Sequence, residues 1–183
     1  MTERKKYELT DEFIEHWSGK KLYRIKALID FGLVVAGSLG GFVESENNLD
    51  HNGNAWVCGN ARVYGNAEVY GNAWVYGDAE VYGNAWVYGD AEVYGNAEVY
   101  GNAEVYGNAE VYEQRSVIWF SVVGTENGTL TIYKSKDGSL LATRGCFSGT
   151  VDEFLAKSAQ VHDEKTKREY ELLIEVAKSR ILG

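Results

Sequence analysis

Residues 53–112 read GNAWVC GNARVY GNAEVY GNAWVY GDAEVY GNAWVY GDAEVY GNAEVY GNAEVY GNAEVY, which are ten consecutive copies of one six-residue unit. The unit is Gly-(Asn/Asp)-Ala-X-Val-Tyr, and Cys58 is the single departure at the Tyr position. Side chains in Ala-X-Val-Tyr alternate with a period of two, which is the period of a β-strand. Gly and Asn tolerate the left-handed backbone region and therefore supply a corner. The stretch predicts short strands separated by corners, with Ala and Val on one face.

Coiling into a solenoid is the arrangement that stabilises such short strands. Each turn then hydrogen-bonds to the next, and the Ala and Val side chains form one continuous core. The unit resembles the bacterial hexapeptide-repeat family, whose Val-Tyr-Gly-Asn-Ala-X phase matches residues 57–62 and each later copy. The resemblance implies a mainly β fold, a left-handed parallel β-helix of triangular section with three units in each coil.

Residues three units apart would stack into ladders, one ladder on each flat face of the triangle. The X side chains of the three ladders are Trp56, Trp74, Glu92 and Glu110; Arg62, Glu80 and Glu98; and Glu68, Trp86 and Glu104. Tyr ladders such as Tyr64, Tyr82 and Tyr100 run beside them. Stacked Tyr rings support one another, whereas stacked carboxylates repel. The acidic ladders therefore indicate a surface with a use beyond stability, and solubility of a Tyr-rich surface is the alternative.

The segment before the repeat predicts a cap and a lead-in. Within residues 1–28, a hairpin over 7–28 with a turn at Gly19 would cap the N-terminal end of the solenoid. Residues 29–52 read as irregular opening coils, so the β-helix is expected to span 29–112. This lead-in resembles that of a bacterial group described loosely as putative transferases.

Residues 113–183 predict a small β-β-β-α-α module at the C-terminus. Three strands are expected over Val117–Val123, Leu130–Lys134 and Leu140–Thr143, separated by Asn-Gly and Asp-Gly turns. The run Thr150-Val151-Asp152-Glu153 is a capping box that opens a first helix, and a second helix follows it. The module would cover the open edge of the solenoid. Over roughly residues 115–182 it resembles a module found on short phage and prophage proteins, which implies a mobile-element source.

The charge of the chain lies almost entirely in the repeat. The whole chain carries a formal charge of −9, and residues 53–112 hold −7 of it, with Arg62 as their one basic side chain. This balance argues against direct nucleic-acid binding, which needs clustered Lys and Arg. No apolar run approaches the roughly 18 residues of a membrane span. We therefore expect a protein of the bacterial cytoplasm that binds neither nucleic acid nor membrane.

Few residues have the chemistry of a catalytic or metal site. Acyltransferases on this β-helix need a catalytic His, and the related carbonic anhydrases need three His on zinc. The three histidines here are His16, His51 and His162, and none recurs at coil spacing. Cys58 and Cys146 match no zinc spacing, and Cys146 is expected to be a buried structural thiol. We therefore expect no enzyme activity, no cofactor and no metal.

The remaining functional candidate is the acidic and aromatic surface. The first hypothesis is a non-catalytic interaction module that binds and inhibits a basic host protein, such as a nucleic-acid-handling protein or an anti-phage defence nuclease, by imitating the charge of DNA. The predicted partner-binding residues are Glu68, Glu80, Glu92, Glu98, Glu104, Glu110, Trp74, Trp86, Tyr82 and Tyr100. The alternative is a self-associating scaffold, a dimer or trimer, and a carbohydrate-binding module and an acyltransferase-like enzyme are minor alternatives.

Overall fold

The computed structural model describes residues 4–183 as seventeen β-strands followed by two α-helices. Three strands precede the repeat: β1 (Tyr7–Glu15), β2 (Lys21–Ala27) and β3 (Leu39–Val43). The repeat contributes ten two-residue strands, β4–β13, which are Trp56–Val57, Arg62–Val63, Glu68–Val69, Trp74–Val75, Glu80–Val81, Trp86–Val87, Glu92–Val93, Glu98–Val99, Glu104–Val105 and Glu110–Val111. The C-terminal part contains β14 (Val117–Val123), β15 (Gly128–Lys134), β16 (Leu140–Arg144), β17 (Phe147–Thr150), α1 (Val151–Val161) and α2 (Glu164–Leu182).

The repeat forms a three-sided parallel β-solenoid. Strands three units apart pair in parallel, and each pair joins residues at the same place in the unit, as in Trp56↔Trp74. The three resulting sheets have the orders β13-β10-β7-β4, β12-β9-β6 and, continuing from β3, β5-β8-β11. The predicted β-helix of triangular section is therefore confirmed, together with the ladders that its register defines.

The solenoid core consists of the Ala and Val side chains of the repeat. Every Ala and Val from Ala55 to Val111 is at most 1% exposed. The Gly of each unit has a positive φ, between +62° and +71°, which an L-residue adopts only at a cost. The six-residue unit therefore assigns one residue to the corner and two to the core.

The N-terminal hairpin extends one face of the solenoid. Strands β1 and β2 pair antiparallel around the turn at Gly19, β2 pairs with β3, and β3 continues in parallel into β5. The predicted hairpin is thus present within residues 7–28, and residues 1–3 of the predicted N-terminal piece lie outside the described part of the chain.

Side chains from this end close the first coil. The ammonium of Lys6, which is 1% exposed, donates to the carbonyl oxygen of Ala55 at 2.7 Å. The amide of Asn48 donates to the carbonyl oxygen of Ala67 at 2.8 Å. Backbone N–H groups of Phe42, Glu44 and Asp50 pair other carbonyl groups of the same coil, so backbone and side-chain donors together cap this edge.

The C-terminal module differs from the prediction in one strand. Strands β14–β17 form a four-stranded antiparallel sheet in sequence order, whereas the sequence predicted three strands. The additional strand, Phe147–Thr150, pairs with β16 across a two-residue loop, Gly145–Cys146. Gly145 has φ +56°, which suits a tight hairpin. The correct order is therefore β-β-β-β-α-α, and the predicted capping box of α1, from Thr150 to Glu153, is confirmed.

The C-terminal sheet covers the last coil of the solenoid. Thr131 Oγ1 accepts from the backbone N–H of Glu104 at 3.0 Å, and Thr143 Oγ1 donates to its carbonyl oxygen at 2.6 Å. The hydroxyl oxygen of Tyr133 accepts from the backbone N–H of Tyr106 at 3.2 Å. The module therefore satisfies backbone groups that would otherwise be unpaired at the edge of a sheet.

Candidate interaction surface

The ten predicted partner-binding residues lie on all three faces of the solenoid and form no single patch. The first face, formed by β4, β7, β10 and β13, carries Trp74, Glu92 and Glu110. The second face, formed by β5, β8 and β11, carries Glu80 and Glu98, and their neighbours Tyr82 and Tyr100 lie at its edge. The third face, formed by β6, β9 and β12, carries Glu68, Trp86 and Glu104.

Tyr hydroxyls bond the carboxylates of the next coil. Tyr64 donates to Glu80 at 2.9 Å, and the same contact, always sixteen residues apart, recurs at every later Glu of the repeat. The other pairs are Tyr76–Glu92, Tyr82–Glu98, Tyr88–Glu104 and Tyr94–Glu110. These bonds offset part of the repulsion between stacked carboxylates. The cost in stability that was expected from stacked carboxylates is therefore reduced for these five Glu residues.

The pKa of the Tyr hydroxyl is raised at six positions of the ladders, Tyr64, Tyr70, Tyr76, Tyr82, Tyr88 and Tyr94. Burial, together with the carboxylate of Glu98, raises the pKa of Tyr82 to about 12. Tyr82 lies between two parallel rings, with centroids 5.0 Å from Tyr64 and 4.9 Å from Tyr100. The Tyr rows therefore act as structural ladders that fix the position of the acidic side chains.

Two of the three faces obtain cations from this chain. Arg62 forms a salt bridge to Glu80 at 3.0 Å on the second face, and Lys136 of the C-terminal module reaches Glu92 at 2.9 Å on the first. Within residues 4–183, no Lys, Arg or His lies within 4.0 Å of the carboxylates of Glu68 or Glu104. The third face is therefore the one whose two carboxylates both lack a cation.

The exposed aromatic side chains also differ between the faces. Trp56 is buried under Tyr7 and Phe31, with 2% of its surface exposed, and Trp74 above it is half-buried. Trp86, in the middle of the third face, is 44% exposed. Tyr100 is 41% exposed, but its ring is covered by Tyr82 and by Trp119, whose ring is perpendicular to it at 4.6 Å. Trp86 is thus the most accessible aromatic side chain of the repeat.

The three histidines have structural partners. His16 Nδ1 bonds Ser18 Oγ at 2.7 Å, and its ring lies against Tyr64. His51 stacks on Tyr7 and accepts from a backbone N–H. His162 Nδ1 bonds Ser158 Oγ at 3.0 Å. Within residues 4–183 no group of three His, Cys, Asp or Glu side chains has a metal-binding arrangement.

The prediction that Cys146 is buried is wrong. Both cysteines are free thiols, and Cys146 is exposed. It lies in the loop between β16 and β17. This loop was not predicted because β17 was missed. The loop borders a cavity that is also lined by Lys157 and His162. The structure thus places a histidine in the same cavity as Cys146, although the two are far apart in sequence.

These features define the chain as a β-solenoid protein with a small α+β module at its C-terminal end. A family described as YdcK Beta solenoid repeat matches residues 53–71, which form the first coil of the repeat. The match covers a small part of the chain, so it supports the β-solenoid fold but gives no information on function. No curated protein matches the chain significantly. No helix within residues 4–183 is both long and apolar enough to cross a membrane.

Proposed function

We propose that this chain is a non-catalytic interaction module whose solenoid binds a basic partner protein. The observation that carries the proposal is the third face, where Glu68 and Glu104, whose carboxylates have no salt-bridge cation within residues 4–183, flank the exposed ring of Trp86. Exposed Trp is favoured at interface centres, and unpaired charge of one sign attracts a surface of the opposite sign. A basic protein surface is therefore the complementary partner.

The proposed partner class is a protein that handles nucleic acid, such as a host nuclease of an anti-phage defence system. Such proteins carry basic channels that neutralise phosphates. The parallel coils repeat about every 4.8 Å. The two carboxylates of a ladder are one coil apart on the first and second faces and two coils apart on the third, so the solenoid presents them at fixed separations. The resemblance of residues 115–182 to a module of phage and prophage proteins supports a mobile-element source for such an inhibitor.

A competition pull-down tests this function. The tagged chain is incubated with bacterial lysate at low and high salt, with and without added duplex DNA, beside a variant in which Glu68, Glu98, Glu104 and Glu110 are changed to Gln. These four Glu residues have no salt-bridge partner within residues 4–183, so the change leaves the Arg62 and Lys136 pairs intact.

Two results distinguish the proposal from its alternatives. Capture of a nucleic-acid-handling protein that is lost with salt, with DNA and with the variant would support the proposed function. A stable oligomer of the chain with no captured partner, measured by light scattering, would refute it and favour the self-associating scaffold.

A further inference from the structure

We propose that the ladder Glu68–Trp86–Glu104 is a binding site for an arginine side chain presented by the partner; this inference rests on the proposed function and names the contact. The three side chains are direct register partners on adjacent parallel strands, Glu68↔Trp86 and Trp86↔Glu104. Adjacent strands lie about 4.8 Å apart. One carboxylate therefore lies on each side of the indole along the ladder.

The backbone under this ladder is fixed by hydrogen bonds on both sides. The N–H of Glu68 donates to the carbonyl oxygen of Ala85 at 3.0 Å, and the N–H of Trp86 donates to that of Ala103 at 3.0 Å. Val87, next to Trp86, is fully buried in the core. The edge of Tyr70 lies against Trp86, with centroids 6.4 Å apart and planes at 75°. The site is thus organised before any partner arrives, which lowers the entropic cost of binding.

The X side chains of this ladder carry more net charge than those of either other face, once the cations that pair with them are counted. Each of the other two faces has two Glu residues and one salt-bridging cation, Arg62 or Lys136, which leaves each face with a net charge of −1. The third face carries −2 on Glu68 and Glu104. A shallow depression beside Glu68 is also lined by Asp50, Glu46 and His51. Glu46 is paired with Lys5 and His51, so Asp50 is the carboxylate that the depression adds without a salt bridge within residues 4–183.

The geometry favours a guanidinium over an ammonium. A guanidinium is planar, so it can lie flat on the exposed face of Trp86 while its N–H groups point along the ladder in both directions. Glu68 and Glu104 precede and follow Trp86 in the ladder, so each carboxylate is available to accept N–H groups from its own side, and Glu104 also accepts from the hydroxyl of Tyr88. An ammonium is a compact, strongly hydrated charge that does not stack in this way. Arginine-presenting segments are therefore the ligand that uses all three side chains.

The test uses an octa-arginine peptide as the probe, with octa-lysine as the matched comparison. Binding is followed by NMR through the indole N–H of Trp86, which is assigned from its loss in Trp86→Phe. The variant Glu68→Gln/Glu104→Gln removes both carboxylates of the ladder. Its control, Glu98→Gln/Glu110→Gln, changes the net charge equally on the other two faces, and both control residues also lack a salt-bridge partner within residues 4–183.

The expected result is a loss of about tenfold in octa-arginine affinity for the ladder variant and for Trp86→Ala, and about twofold or less for the control. Octa-lysine should bind the wild type more weakly than octa-arginine. Equal losses in the ladder and control variants, with no shift at the Trp86 indole, would overturn the inference but leave general attraction to the solenoid, and hence the proposed function, intact. If octa-arginine does not bind and the pull-down yields no partner, both the arginine site and the proposed function are refuted.

Discussion

The stacking of the corners gives a prediction with a matched control. Gly83 and Gly107 occupy the same place in the unit and have nearly the same backbone, with φ +67° and +71°. A Cβ atom on Gly83 would lie 3.0 Å from the backbone nitrogen of Gly101 in the next coil. A Cβ atom on Gly107 would have no neighbour within 4 Å. Substituting each Gly by Ala therefore separates backbone strain from contact between coils.

The expected energies follow from these two terms. Ala in the left-handed region costs about 1–2 kcal/mol, and the reduced entropy of the unfolded chain returns about 0.4–1 kcal/mol, so Gly107→Ala should destabilise by about 1 kcal/mol. Gly83→Ala carries the same terms and must also separate two coils by a few tenths of an ångström, at about 1–3 kcal/mol for overpacking. Its total is therefore about 2–4 kcal/mol.

Urea unfolding followed by far-ultraviolet circular dichroism measures both variants against the wild type. Gly83→Ala should lower the free energy of unfolding by at least about 1 kcal/mol more than Gly107→Ala, at an unchanged m-value. Equal losses in the two variants would refute this expectation, because the contact between Gly83 and the coil above would then have no energetic weight.

Four further predictions address the core, two titratable groups and the cap. Val87→Ala in the fully buried core should lower the free energy of unfolding by about 2–3 kcal/mol, from lost burial and a cavity, as measured in urea. Burial lowers the pKa of Lys6 to about 8, so the unfolded chain binds more protons above that pH and stability should rise from pH 8 toward 10, a rise that Lys6→Met should abolish. The pKa of Tyr82, raised to about 12 mainly by burial, acts in the opposite sense: its contribution is complete below pH 10 and is lost between pH 10 and 12, which urea midpoints across this range and Tyr absorbance at high pH will show. Thr143→Val leaves the carbonyl oxygen of Glu104 without its donor and should cost about 1–3 kcal/mol, and hydrogen exchange should show faster opening of the last coil than of the middle one.

The surface chemistry could be predicted only in part. The ladder Glu68–Trp86–Glu104 follows from the repeat and was predicted, because parallel stacking joins residues at the same place in successive coils. The bonds between Tyr and Glu were not predicted, although they recur with the repeat. Each bond joins a Tyr to a Glu that lies diagonal to it in the next coil. The prediction considered only side chains directly above one another, so these diagonal pairs were missed.

The C-terminal module was the least predictable part. Gly145–Cys146 was not recognised as a hairpin loop because β17 after it, Phe147–Thr150, is short and lacks a run of β-branched residues. Because this loop was not recognised, Cys146 was also wrongly predicted to be buried. The hydroxyl groups of Thr131 and Thr143 bond the backbone of Glu104 in the last coil. No local sequence pattern predicts these bonds, because they depend on how the C-terminal sheet packs on the solenoid.

The sequence by itself determined the solenoid: its corners, its Ala and Val core and the membership of each face. A repeat determines these features because each unit contacts mainly the equivalent units of the neighbouring coils, so a local pattern also sets the register between distant residues. Tertiary structure alone decided which face keeps both of its carboxylates without a salt-bridge cation. Lys136 reaches Glu92 from the C-terminal module, and no cation of residues 4–183 reaches Glu68 or Glu104. Such pairing depends on the docking of a non-repeating segment, and its position is set by contacts far apart in the chain.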